Sequence, residues 1–143
     1  MTPDDQTPVP GLIHAFDLSV ERGTAIEIGK LASGGRRAHV PITGGIVEGS
    51  ELSAVLVGGS EAVLERGDGV AVVEVNYLIR AADGATARAF GHGYRTDAGD
   101  FAGTRLSLLF EADEDGSLAH LVRAAFLAEA LPGNARLTVM RID

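Results

Sequence analysis

The stretch at 90–94 places an imidazole and a phenol two residues apart, and Arg88 comes just before it. If this stretch is a β-strand, Arg88, Phe90, His92 and Tyr94 share one face at intervals of roughly 6.5–7 Å. Such a row can bind and polarise an oxygenated small molecule, with His92 as acid or base and Tyr94 as hydrogen-bond donor. An outward-facing polar row beside glycines that permit a bulge fits the pattern equally well.

A second polar row, made of Glu74, Asn76 and Arg80, lies on the preceding apolar segment. If this face lines a pocket, Glu74 is a candidate general base and Asn76 a donor to a developing oxyanion. If the face meets solvent, the three residues are ordinary surface. Alternation along one strand does not distinguish the two faces.

The four histidines, His14, His39, His92 and His120, lie far apart in the sequence. No His-Glu-x-x-His motif or His-x-His pair gives them metal-ligand spacing, and the chain has no cysteine to supply a thiolate. We therefore expect no metal. His39 and His120 are secondary candidates for substrate binding.

Composition and missing motifs exclude several function classes. With 12 basic against 20 acidic residues the formal net charge is −8, so a nucleic-acid partner is not expected. The chain lacks a P-loop, a strand-GxGxxG-helix unit and a Gly-x-Ser-x-Gly elbow. Acid–base chemistry by His, Glu and Tyr without a cofactor is the main chemistry left open.

The chain is expected to form one domain. Residues 1–11 read as a flexible tail, because proline and aspartate at 1–10 offer nothing to bury, and residues 12–143 as the folded part. That opening also lacks the basic head and apolar core of a signal peptide, which predicts a cytoplasmic location. No apolar run approaches the ~20 residues of a membrane helix, so no membrane partner is expected.

Glycine and Asp-Gly punctuation divides the rest into short segments, a pattern typical of an antiparallel β-sandwich or barrel. Segments 70–80 and 85–95 flank Asp83-Gly84 and predict a hairpin. Within 70–80, Val73, Val75, Tyr77 and Ile79 form one apolar face. Gly44-Gly45 and Gly58-Gly59 are taken as turns. Further strands are expected at 25–28, 38–43, 52–57 and 136–142.

Residues 117–131 show the apolar periodicity of a helix and not that of a strand. Apolar side chains follow the helical i, i+3, i+4 spacing, Ser117 is a possible N-cap, and Pro132-Gly133 ends the segment. Taken alone, this segment predicts a helix.

The order of several motifs resembles that of the family called domain of unknown function 3237, small bacterial and fungal proteins. These motifs are PITGGIVEG at 41–49, VGGS at 57–60, DGV at 68–70, EVNY at 74–77 and DGA at 83–85. The resemblance extends from Leu12 to Ile142. It implies a single small antiparallel β-barrel, whose lumen suits one small hydrophobic ligand. The family has no assigned activity.

The resemblance also implies a strand, not a helix, at 117–131, with His120, Val122, Ala124 and Phe126 on one face. There, Arg123 and Phe126 match the family's pattern, which makes Arg123 a candidate for substrate binding. His120 departs from that pattern. Asn76 stands where the family shows an arginine, so an unusual substrate is expected.

The leading hypothesis is a cofactor-independent isomerase, lyase or cyclase acting on a small hydrophobic or aromatic oxygenated molecule in the lumen. Glu74, His92 and Tyr94 are its catalytic candidates. The substrate-binding candidates are His39, Asn76, Arg88, Phe90, His120 and Arg123. Two alternatives stay open: a carrier that binds such a molecule without transforming it, and an interaction protein whose lumen is filled by its own side chains. Apolar outer faces make a homodimer reasonable.

Overall fold

The computed structural model describes residues 8–133 and 135–143. This part of the chain contains nine strands and one short 3-10 helix, Ala119–Arg123. The strands are β1 (Leu12–Arg22), β2 (Ile26–Lys30), β3 (Arg36–Glu48), β4 (Ala54–Glu65), β5 (Val70–Ala81), β6 (Thr86–Thr96), β7 (Gly103–Ala112), β8 (Phe126–Ala130) and β9 (Arg136–Ile142).

Eight of the strands close into an antiparallel barrel. The order is β1-β9-β8-β7-β6-β5-β4-β3, and pairing between β1 and β3 completes the ring, while β2 adds to β3 outside it. The expected all-β barrel with a single domain is therefore confirmed. Residues 1–7 of the expected tail lie outside the described residues, and 8–11 precede β1 without joining a strand.

The predicted hairpin at Asp83-Gly84 is also confirmed. Strand β5 pairs with β6 up to Arg80 opposite Thr86, and an Asp83 carboxylate oxygen accepts the backbone N–H of Ala85 at 2.9 Å. The side chains of Val73, Val75, Tyr77 and Ile79 are buried, so the apolar face of β5 is the one that lines the barrel interior.

The two glycine pairs taken as turns lie inside long strands instead. Gly44-Gly45 is in β3 and Gly58-Gly59 is in β4, and each pair lies next to a register shift, that is, a β-bulge. Gly45 has φ 153° and Gly59 has φ 123°. A β-carbon on Gly59 would lie 2.0 Å from the carbonyl oxygen of Asn76, so only glycine fits. Glycine here bends a strand and does not end it.

The segment 117–131 is neither the helix that its apolar spacing predicts nor the continuous strand that the family resemblance implies. It forms the 3-10 helix Ala119–Arg123 followed by β8, so the strand prediction was wrong before Phe126 and right from Phe126 to Ala130. Leu118 and Leu121 are buried in the barrel core. The apolar spacing therefore serves a short cap over one end of the barrel.

That end of the barrel, the closed end, is filled by aromatic side chains. Phe16, Phe110 and Phe126 come from three strands, and their ring centroids lie 5.0 to 6.0 Å apart. The 3-10 helix packs against β7 at this end. In the part of the chain that the structure describes, no helix is long and apolar enough to cross a bilayer.

Candidate ligand site in the barrel lumen

The opposite end of the barrel contains a cavity of about 300 Å³. Its floor and walls are formed by inward-facing side chains of several strands, among them Val73, Leu106 and Leu137. Its mouth lies between the β6–β7 and β8–β9 connections, at 95–97, 103–104 and 131–133. The lumen is thus filled by aromatic rings at one end and open at the other, which is the arrangement of a small ligand pocket.

Glu61 of β4 is the one buried charged side chain among the described residues, with 6% of its surface exposed, and it lies in the cavity wall. Arg22, at the end of β1, donates to both of its oxygens, from Nε at 2.7 Å and from a terminal nitrogen at 3.0 Å. Tyr77 of β5 donates its hydroxyl to the same carboxylate at 2.5 Å. A bidentate arginine and a phenol thus fix one carboxylate from two sides.

Burial and charge act on both partners of Glu61. Burial, and then the negative charge of Glu61, raise the pKa of Tyr77 far above its ordinary value of 10.0. The hydrogen bond to Glu61 raises the pKa of Arg22 against the opposing effect of burial. Tyr77 is therefore a neutral donor and Arg22 a permanent cation at any physiological pH.

The mouth of the cavity adds a second cation. Arg95, on β6, lies opposite Ala71 of β5 and Thr104 of β7, and its side chain lines both the main cavity and a smaller one of about 170 Å³. Asp97 also lines both cavities and is exposed. The site therefore combines an apolar wall, an ion-paired carboxylate with a phenol, and an arginine at the opening.

The β4 bulge is what places Glu61 inside. Leu56 pairs with Ile79, and the next register position pairs Gly58 with Leu78, so β4 carries one extra residue there. Without that residue, alternation from the buried Leu56 would turn Glu61 outward. The bulge inverts the alternation and directs Glu61 into the lumen.

The predicted catalytic residues Glu74, His92 and Tyr94 are brought together on the outer surface of the barrel, not in the lumen. Glu74 is the direct cross-strand neighbour of His92, and Tyr94 follows on β6. All three side chains are exposed, because their neighbours Val73 and Val75 take the buried positions. The condition that this row faces a lumen pocket is not met.

Asn76, Arg88 and Phe90 lie on the same outer face. Arg88 donates to the Asn76 side chain at 2.6 Å and to Glu111 at 2.7 Å, and its guanidinium carbon lies 4.3 Å from the centre of the Phe90 ring. These contacts describe a surface network across β5, β6 and β7. They account for the polar spacing without a ligand.

The remaining candidates are dispersed. His39 is exposed on β3, opposite Ala62 of β4. His120 is in the 3-10 helix at the closed end, where its ring nitrogens contact the carbonyl oxygens of Ser117 and Glu51 at 3.2 and 3.1 Å. Arg123 is exposed in the same helix. None of these three lines the lumen cavity.

The outer face also carries a groove of about 570 Å³, lined by His92, Tyr94 and Ser107 together with apolar residues such as Leu127 and Met140. The sequence candidates on β6 thus do border a concave surface, although it lies outside the barrel. No group of three or more His, Cys, Asp or Glu side chains within 8–133 and 135–143 has the arrangement to hold a metal ion.

Residues 10–134 match the model of a family described as protein of unknown function (DUF3237). The chain belongs to this family. The expected resemblance is therefore confirmed from β1 to β8, and the match ends before β9, which the expected span to Ile142 included. No curated protein matches the sequence.

Solved structures with the same fold span this DUF3237 chain almost completely. A protein of unknown function from Clostridium acetobutylicum is 25% identical with a TM-score of 0.81, covering 94% of this chain and 100% of its own. A β-barrel-like protein from Acinetobacter baumannii is 21% identical with a TM-score of 0.82, covering 98% and 100%. An enzyme from Penicillium herquei is 20% identical with a TM-score of 0.78, covering 99% and 100%.

Arg22, Glu61 and Arg95 were not singled out from the sequence of this DUF3237 chain. Glu61 directly follows Gly58-Gly59-Ser60, and reading the glycines as a turn hid the possibility that a bulge continues the strand. When a strand contains a bulge, the apolar residues before and after it alternate in opposite phase. Such a change of phase across a glycine pair is the signal that could have identified the inward position of Glu61. Cellular location, oligomeric state and partners stay predictions.

Proposed function

We propose that the protein binds a small, largely apolar, oxygenated molecule in the lumen cavity and catalyses proton transfer on it, as a cofactor-independent isomerase, lyase or cyclase. Glu61 carries this proposal, because a buried carboxylate lowers stability unless partners compensate it. A buried carboxylate in the wall of a cavity is one of the few polar groups there that can fix the orientation of a ligand. The catalytic group is therefore Glu61 and not the outer row of Glu74 and His92.

The hydrogen bonds of Glu61 leave one oxygen with spare capacity. Its Oε2 accepts from both Arg22 and Tyr77, whereas Oε1 accepts from Arg22 alone. A carboxylate oxygen can accept two such bonds, so Oε1 is the atom that takes a proton from the substrate. Arg22 and Tyr77 act as positioning residues, since they hold the carboxylate in one orientation before the substrate binds.

The size and mixed lining of the cavity support a small substrate that has an apolar body and oxygen functions, because polar and apolar side chains both line the cavity. A volume of about 300 Å³ is at the lower end of the range for ligand pockets. Val73, Leu106 and Leu137 supply apolar surface. Thr104 and Arg95 supply hydrogen-bond donors near the mouth that can hold an oxygen of the bound substrate.

Solvent deuterium exchange tests proton transfer before the natural substrate is known. The protein is incubated in D₂O with a panel of aryl ketones and their hydroxylated derivatives, and deuterium incorporation at carbon is measured by mass spectrometry. We expect the wild type to accelerate exchange for at least one member of the panel. Glu61→Gln is expected to lower that rate at least about a hundredfold, an ordinary contribution of general base catalysis.

Glu48→Gln is the matched control, because Glu48 is an exposed carboxylate on the neighbouring strand β3. Equal loss of exchange in both variants would contradict the role of Glu61. Native mass spectrometry of the same samples separates binding from catalysis. A ligand that binds to the wild type without any gain of deuterium would contradict the catalytic proposal and favour a carrier.

A further inference from the structure

We infer that the molecule bound in the lumen carries a carboxylate, and that Arg95 at the mouth binds it. The inference rests on the proposed function only in taking the same cavity as the site. Arg95 is half-buried, and its strand position opposite Ala71 directs it to the inner side of the barrel. It lines the cavity whose wall also contains Glu61.

Arg95 differs from the other arginine of the cavity in its pairing. Arg22 is neutralised by the bidentate contact with Glu61. For Arg95, no ion pair or hydrogen bond of the side chain is formed within the described part of the chain. Asp97 and Glu65 border the adjoining small cavity, yet neither pairs with it. A half-buried guanidinium without an acceptor is the group that an anionic ligand satisfies.

The four charged side chains that line the cavity sum to zero, but they are not all paired. Arg22 and Glu61 neutralise each other, whereas Asp97 is exposed to solvent and forms no ion pair with Arg95 within the described residues. Arg95 is therefore the half-buried charge of this cavity that a ligand anion can pair with. The planar guanidinium favours a carboxylate, which it can bind through two parallel hydrogen bonds.

The positions of these groups define the shape of the substrate. Its carboxylate lies at the mouth on Arg95, its apolar body contacts Leu106 and Leu137, and its reacting hydroxyl or carbonyl lies toward Glu61. An aromatic or unsaturated acid with an additional oxygen function has this order of groups. A neutral amide of the same shape would leave the Arg95 charge unmatched.

Paired acids and amides of equal shape test this inference by binding alone. Benzoate and cinnamate are compared with benzamide and cinnamamide by isothermal titration calorimetry. We expect the wild type to bind at least one acid at least about tenfold more tightly than its amide. Arg95→Met should weaken binding of the acid far more than binding of the amide and so remove the preference, and Arg95→Lys should retain part of it.

Arg80→Met is the control, because Arg80 is an exposed arginine on the outer face of β5. This substitution removes the same charge from the chain as Arg95→Met does. It should leave the preference intact. Equal affinities for acid and amide, equal weakening of both by Arg95→Met, or no binding of either acid at millimolar concentration would overturn the inference. Glu61→Gln should keep the preference for the acid. The binding test therefore has its own outcome, whether or not the deuterium-exchange experiment supports the catalytic proposal.

Discussion

Tyr77 and Glu61 are 16 residues apart in the chain and lie on adjacent strands, and the Tyr77 hydroxyl donates to the Glu61 carboxylate at 2.5 Å inside the barrel. Two apolar strands thereby carry a polar contact at the wall of a cavity. Because Arg22 completes the carboxylate's partners, the buried charge is compensated from a third strand. The same hydrogen bond therefore stabilises the buried charge and orients the proposed catalytic carboxylate.

Glu61→Gln should destabilise the protein by about 2 kcal/mol, since it leaves the Arg22 cation without its buried partner. The cost stays below that of a fully buried pair because 39% of the Arg22 side chain is exposed and remains hydrated. Urea denaturation followed by circular dichroism measures the change. Glu48→Gln should shift the free energy of unfolding by less than about 0.5 kcal/mol; equal shifts would show that Glu61 is not specially held.

Tyr77→Phe should cost about 2 kcal/mol at neutral pH, the range for a hydrogen bond to a charged group. The effect depends on pH because the folded pKa of Tyr77 lies above its unfolded value of 10.0. The wild type therefore keeps this contribution below pH 10 and loses it as the unfolded tyrosine ionises above that pH. The stability difference between wild type and Tyr77→Phe should shrink above pH 10 in urea titrations.

The same pKa shift can be observed directly. In a Tyr94→Phe variant, Tyr77 is the only tyrosine left, since the chain has two. Its ultraviolet difference spectrum should show no tyrosinate on raising the pH through 10 while the protein remains folded. Ionisation with a midpoint near 10 in the folded protein would contradict the burial of this hydroxyl.

Gly59→Ala should destabilise the barrel by more than about 3 kcal/mol, because it combines a backbone of φ 123° with a β-carbon 2.0 Å from the Asn76 carbonyl oxygen. Gly67→Ala is the control, as a β-carbon there meets nothing within 4 Å. Thermal unfolding compares the two. A tolerated Gly59→Ala would mean that the bulge does not require glycine.

Ala130→Phe should abolish ligand binding in the lumen, because Ala130 lines the cavity and a phenyl ring would occupy it. Ser107→Phe introduces the same ring into the outer groove beside His92. It should leave lumen binding within about twofold of the wild type, a change well below 1.4 kcal/mol. If native mass spectrometry shows that only Ser107→Phe removes the ligand, the outer groove is the site.

Local sequence determined the elements whose signals are local. The alternation of Val73, Val75 and Tyr77 predicted an apolar face on β5, and Asp83-Gly84 predicted the hairpin, because both depend on neighbours within one or two strands. The family motifs extended this to a closed barrel. The spacing around Leu118 and Leu121 misled, since a 3-10 cap and an amphipathic helix present similar apolar intervals over one turn.

Which polar residues meet in the lumen was decided only by the tertiary structure. Alternation identifies two faces of a strand, but closure of the barrel selects the inner one, and it placed His92 and Glu74 outside. Glu61 points inward because a bulge beside Gly59 shifts its register by one residue. Arg22 and Tyr77 reach it from other strands through pairings that no local pattern encodes. Register is set by contacts distant in sequence, so the site emerges only when the barrel closes.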